Sequence, residues 1–193
     1  MYKDMADILS DRKSGEFKLS HYDITENNFR AIYRDGIPIG TYIGLFHNGE
    51  VVMSNTPMEK RTNREFVVNA HGNVLIGGLG IGLILLAVQD KEEVDHITVV
   101  EKHQEVIDLV ADQLLLNDKV EIVNADVFDY VPKMKYNTIY MDIWNWVNSD
   151  IYNEQMKPLI SRYRKYLVSK SEDSERYIDC WVKNNARYDR PLV

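Results

Sequence analysis

Apolar positions change their rhythm near residue 70. From residue 73 onward, short apolar runs of strand character alternate with stretches of helical spacing: NVLIGG, IGLILLAVQD, HITVVE, KHQEVIDLVADQLLLN, VEIVNAD, YNTIYMDIW, IYNEQMKPLISRYRKYLVS and ERYIDCWV. NVLIGG is apolar until its closing glycines, the pattern of a strand buried on both faces. In KHQEVIDLVADQLLLN, Val106, Ile107, Val110 and Leu114 recur at helical spacing, which predicts a helix across that stretch. Pro158 is expected to kink its helix or mark the helix start, because proline lacks a backbone donor and crowds the preceding turn. Strands alternating with helices imply an α/β fold with a mostly parallel sheet, flanking helices and right-handed crossovers.

Residues 15–55 follow a different pattern, with short apolar pieces separated by turn signals. Asn48-Gly49 lies between TYIGLF and EVVMS, and a two-residue hairpin turn of this kind needs positive φ at both central positions. A small antiparallel β subdomain is therefore expected over residues 1–56, with the α/β domain over 57–193. Residues 1–14 are polar and charged, with a short helix expected. PMEKRTNREFVVN (57–69) predicts one helix opened by Thr56-Pro57, since proline fits the first turn of a helix.

Composition narrows the functional classes. The 193 residues carry 30 acids against 23 bases, a formal charge of −7. Such a chain repels a polyanion on average, so nucleic acid is not an expected partner. Lys157, Arg162, Arg164, Lys165 and Lys170 cluster on a predicted helix and read as its solvated face. No apolar run approaches the roughly 18–20 residues of a membrane span. The first residues show no apolar signal core, and a single cysteine fits a reducing interior, so a cytoplasmic location is expected.

In an open parallel sheet the ligand crevice lies beyond the carboxyl ends of the strands. The first strand ends in Gly77-Gly78-Leu79-Gly80-Ile81-Gly82, where the missing side chains let backbone turn tightly and approach a ligand. The second ends at Glu101, about 20 residues on, where an acid can accept from both ribose hydroxyls or can start the next helix. The third ends at Asp126, placed to accept from an adenine amine or to cap the turn before VFDY. The fourth ends at Asp142. Four such features at successive strand ends favour a cofactor that carries a nucleoside.

VLIGGLGIG, ITVVEK, VEIVNADVFDY and YNTIYMDIW resemble the successive motifs of class I S-adenosylmethionine-dependent methyltransferases, over about residues 73–145. The resemblance implies a Rossmann-like domain with S-adenosylmethionine as cofactor. Within the superfamily the chain is similar to the spermidine-synthase-like branch, which also has an apolar residue at the position of Ile76 and a β-rich segment ahead of the nucleotide fold. By that resemblance Gly77, Gly78, Leu79 and Gly80 lie along the cofactor, with Gly78 and Gly80 at its methionine part. Glu101 holds the ribose beside Lys102, Asp126 and the Val127 amide read adenine, and Asp142 faces the sulfonium and the acceptor.

The activity so implied is methyl transfer to a small molecule or protein, with Asp142 as the catalytic residue. The alternatives are aminopropyl transfer to a polyamine, or a non-catalytic member that binds a nucleoside or a partner. Aminopropyl transfer leans on an acid in the glycine turn and on an aspartate-rich segment after the fourth strand. Ile81 and Asn145 stand at those places. The chain closes soon after its fifth strand, so a sheet trimmed at its carboxyl end is expected. Analogy with the polyamine enzymes suggests a homodimer paired through the β-rich section.

Other chemistry finds little support. His71, His96 and His103 lack metal-ligand spacing, and no metal is expected. His71 is expected to cap the turn before the first strand, and Cys180 to sit in the core. No Gly-x-Ser-x-Gly elbow or Walker phosphate loop occurs. Trp144 and Trp146 follow the fourth strand, where they either wall an acceptor site or pack the next helix.

Overall fold

The structure, a computed structural model, describes residues 2–192. Met1 and Val193, the outer ends of the expected division, lie outside the described residues. A short helix α1 (Met5–Ile8) leads into β1 (Arg12–Ser14), β2 (Phe17–Ile24), β3 (Gly40–His47) and β4 (Glu50–Ser54). These form an antiparallel sheet in the order β1-β2-β3-β4. The β3–β4 hairpin turns at Asn48 (φ 52°) and Gly49 (φ 87°), as its sequence requires. Phe17, Leu19, Ile43 and Leu45 point inward and join the core.

The segment expected as one helix is two: α2 (Pro57–Thr62) and α3 (Arg64–Asn69). They meet at Asn63, which is completely buried and holds the bend through its side chain. Its Oδ1 accepts from Tyr140 Oη at 2.9 Å, and its Nδ2 donates to the Glu59 carbonyl at 3.2 Å.

Beyond this point β5 (Gly72–Gly77), α4 (Leu83–Val88), β6 (Val94–Glu101), α5 (Gln104–Val110), β7 (Val120–Asn124), β8 (Thr138–Met141) and β9 (Tyr177–Cys180) build the second sheet and its cover. The strands run parallel in the order β7-β6-β5-β8-β9. Numbered within the sheet this is 3-2-1-4-5, a Rossmann-type order that reverses between β5 and β8. Val74, Leu75, Ile76, Ile97, Val99 and Ile139 are fully buried in its centre. All six residues of α4 are buried too, which is why that helix has no polar face.

Two helices differ from their sequence pattern. α5 gives way after Val110 to a tight 3₁₀ turn, Ala111–Gln113, which leaves Leu114 buried but Leu115 in solvent. The helix before β9 opens with α6 (Ser149–Ile151), passes through a wide π turn, Tyr152–Met156, and continues as α7 (Lys157–Tyr163). Pro158 stands in the first turn of α7, and the wide turn relieves the clash a proline ring makes with the carbonyl four residues back. The chain passes from β9 into a last short helix, α8 (Lys183–Arg187). Among the described residues no helix is long and apolar enough to cross a membrane.

Candidate active site

The reversal in strand order opens a crevice where β5 and β8 separate. Backbone bonds hold its floor: Asp142 N–H donates to Gly77 O at 2.8 Å, and Gly78 N–H to Val100 O at 2.9 Å. Gly78 (φ 95°) has no room for a side chain, because a Cβ there would sit 2.3 Å from the Asp142 carbonyl oxygen. Gly80 (φ 52°) shares the left-handed backbone, but a Cβ there would meet only Met53 Sδ, the far end of a flexible side chain. The glycine turn therefore lies flat between β8 and the antiparallel sheet.

A cavity of about 350 Å³ lies above this floor, within the range of small-molecule sites. Of the residues picked out by sequence, Gly78, Gly80, Glu101, Lys102, Asp126, Val127 and Asp142 line it. Gly77 and Leu79 lie just behind, in β5 and the buried turn. Phe17, Leu45, His47, Val52 and Met53 close the opposite side, all from the antiparallel sheet. The Phe17 and His47 rings stack at 4.4 Å, and His103 of the parallel half leans on Phe17 at 4.9 Å.

Glu101 is buried, and its two oxygens have different partners. Oε2 accepts from Leu79 N–H at 2.9 Å and Oε1 from His103 N–H at 2.8 Å. The acid thus ties the glycine turn to the start of α5, and each oxygen keeps a free lone pair for a ligand hydroxyl. Of the two sequence readings, the bond to His103 N–H matches Glu101 as the start of the next helix.

Asp126 accepts from Phe128 N–H at 2.9 Å and pairs with Lys102 Nζ at 3.0 Å. Burial pulls its pKa up, but the Phe128 amide and the Lys102 ammonium outweigh that and hold it below the ordinary carboxylate value. Val127 is buried; its carbonyl accepts from Tyr163 Oη at 2.8 Å, while its N–H has no partner among the described residues. An unpartnered donor thus stands beside an anchored acceptor in the cavity.

Asp142 is the exception in this site. Its Oδ2 is fully buried without any hydrogen-bond partner, although the residue as a whole keeps some exposure to the cavity. Burial pushes its pKa up to about 7, even though the neighbouring Asn63 amide favours the ionised form.

Sequence reasoning missed Glu59. It sits on α2, lines the same cavity at 7% exposure, and has its pKa raised to about 8 by burial and by the charge of Asp142. Tyr2 belongs to the same cluster; its buried, unpartnered hydroxyl is pushed to about 12 by desolvation and by the Asp142 and Glu59 charges.

The tryptophans divide. Trp144 walls the cavity and donates through Nε1 to Gln155 Oε1 at 2.8 Å, so it also packs the next helical segment. Trp146 is exposed and lines only a shallower neighbouring recess. Trp181, not singled out by sequence, joins the wall and donates to Thr62 Oγ1 at 3.0 Å. His71 is tied to Asn69 O and Asp173 at the opposite end of the sheet, ahead of β5. Cys180 is buried in β9.

No protein-family profile and no curated protein matches the chain. Solved structures are similar to part of it. The N-methyltransferase NodS from Bradyrhizobium japonicum WM9 is 15% identical with a TM-score of 0.47, over 59% of this chain and 65% of that one. A complex of DhpI with SAH is 20% identical with a TM-score of 0.44, over 57% of this chain and 52% of that one. The glycopeptide N-methyltransferase MtfA is 17% identical with a TM-score of 0.43, over 57% and 49%. The chain thus spans about half the length of DhpI and MtfA. At these identities and scores the likeness carries no residue's role across, and the chemistry of the site is read from its own geometry.

Proposed function

We propose that this chain binds S-adenosylmethionine in the crevice and transfers its methyl group to a small-molecule or protein acceptor. The observation that carries the reading is the row of ligand-ready groups along the strand ends. Glu101 has lone pairs to spare, the Val127 amide lacks an acceptor, and Asp142 Oδ2 lacks a partner, all in one cavity.

In this reading the turn Gly77, Gly78, Leu79 and Gly80 follows the methionine end of the cofactor, and Glu101 accepts from the ribose hydroxyls. Lys102 holds Asp126 in place, and Asp126 with the Val127 amide meets the adenine edge. Asp142 faces the sulfonium, where a carboxylate favours positive charge. When bound, the cofactor supplies a methyl group already activated by the positive sulfur. The protein's share is to hold the acceptor in line, which is worth several kcal/mol, and to take a proton where the acceptor must lose one.

The kinship with the spermidine-synthase-like branch is supported by the motifs and by the β-rich sheet that roofs the cavity. Ile81 and Asn145 in place of acids favour methyl over aminopropyl transfer. Calorimetric titration with S-adenosylmethionine and with its decarboxylated form tests this choice. Binding of the first is expected; preference for the second points to aminopropyl transfer, and failure of both removes the donor reading. Two copies pairing through the antiparallel sheet would sediment at twice the 22.5 kDa of one chain.

A further inference from the structure

The chain is acidic as a whole, yet one part of its surface is not. Residues 130–138 and 155–170 contain no aspartate or glutamate. The fold lays these two stretches side by side. Tyr136 N–H donates to Tyr166 O at 2.8 Å and Val168 N–H to Tyr136 O at 2.9 Å. Arg162 donates to the Asp129 and Tyr130 carbonyls, and the Lys135 ammonium to the Lys165 carbonyl. Lys133, Lys135, Arg162, Arg164 and Lys165 therefore gather as exposed cations along one seam. Asp129 and Glu172 stand at its margins, but among the described residues none of these cations pairs with an acid.

Apolar groups are set among the charges. Val131 and Met134 are 62% and 37% exposed, while Pro132 between them is buried and anchors the strap. A polynucleotide would find charge here but no ring to stack on, because Tyr130, Tyr136, Tyr163 and Tyr166 are buried or packed against the core. Protein–protein interfaces are poor in lysine, which supplies most of this seam. A bilayer with anionic headgroups takes both kinds of group at once, ammonium groups in the headgroup layer and apolar tips just below it. The acidity of the rest of the chain does not oppose this contact, since charges more than about 8 Å away are largely screened at physiological salt.

We propose that the strap 131–135, with the carboxyl end of α7, docks reversibly on an anionic lipid surface. Lys133, Lys135, Arg162, Arg164 and Lys165 meet the headgroups, and Val131 and Met134 enter beneath them. The contact is peripheral and needs no membrane-spanning segment. It is independent of the donor reading, because none of these residues lines the cavity.

The test is co-sedimentation of the full chain with vesicles of phosphatidylglycerol and phosphatidylcholine, against vesicles of phosphatidylcholine alone, with polyuridylate and polyglutamate as soluble polyanions. Retention on the anionic vesicles and none on the neutral ones is expected. Lys133→Glu combined with Lys135→Glu should lower the partition coefficient roughly tenfold or more, with Tm unchanged because both side chains are exposed. Val131→Ser combined with Met134→Ser, a second variant that keeps every charge, should also weaken vesicle binding. Equal retention on neutral vesicles, retention on neither, or variants that bind as well as the wild type overturn the proposal. Tighter binding to polyuridylate or polyglutamate than to the anionic vesicles overturns it too, and makes the seam a nucleic-acid or protein interface.

Discussion

The Glu101 carboxylate accepts the backbone amide of Leu79 at 2.9 Å, so the acid that ends the second parallel strand clamps the glycine turn that ends the first. Its other oxygen holds His103 N–H at 2.8 Å. One side chain therefore ties together the ends of the first two parallel strands. Glu101→Ala should weaken S-adenosylmethionine binding by roughly 1–3 kcal/mol, the scale for losing charged hydrogen bonds. Calorimetric titration measures this, and an unchanged affinity would remove the ribose assignment.

In the proposed reaction Asp142 is the group that takes a proton from the acceptor. Asp142→Asn keeps its size and removes its basicity, so turnover should fall on the order of 10²–10⁴-fold, with a smaller change in cofactor affinity. Equal losses in both would make Asp142 a binding residue alone.

Glu59 has its pKa raised to about 8, against an ordinary carboxylate value in water. The sign follows directly. An acid whose pKa is raised by folding stabilises the fold when protonated, and that contribution is lost as pH rises through the folded value. The unliganded protein should therefore lose stability from Glu59 between about pH 5 and pH 8. Glu59→Gln should remove that loss, so the variant gains on the wild type in thermal unfolding as pH rises. A difference in Tm between the two that stays flat across this range would contradict the burial of an uncompensated acid.

Gly78 combines a φ of 95° with a backbone oxygen 2.3 Å from where a Cβ would stand. Gly78→Ala forces both a strained backbone and a shift of the Asp142 carbonyl. A cost of roughly 1–3 kcal/mol or more is expected, read as a fall in Tm of roughly 2–4 °C per kcal/mol for a chain of this size. A Tm unchanged from wild type would mean that the turn has freedom the structure does not show.

The parallel half of this fold was legible because each strand carries its own signal. Val74, Leu75 and Ile76 are apolar in succession and fully buried, and the Asn48-Gly49 turn states its own geometry. Glu101, Asp126 and Asp142 line one cavity because strand ends place polar residues at one edge of a parallel sheet. Glu59 carried no such mark. In PMEKRTNREFVVN it reads as an ordinary charged helix residue, and only the docking of α2 beside β8 turns it inward. The bend at Asn63 was hidden for the same reason, since its partner Tyr140 is remote in sequence. Phe17, His47 and Met53 became cavity walls only when the antiparallel sheet folded over the crevice.

The most direct measurement is a crystal structure with S-adenosylhomocysteine bound. The account predicts the ribose hydroxyls within hydrogen-bond distance of Glu101, the adenine edge at Asp126 and Val127, and the sulfur turned toward Asp142. A groove filled by Phe17 and Met53, with the ligand elsewhere or not bound, would contradict it.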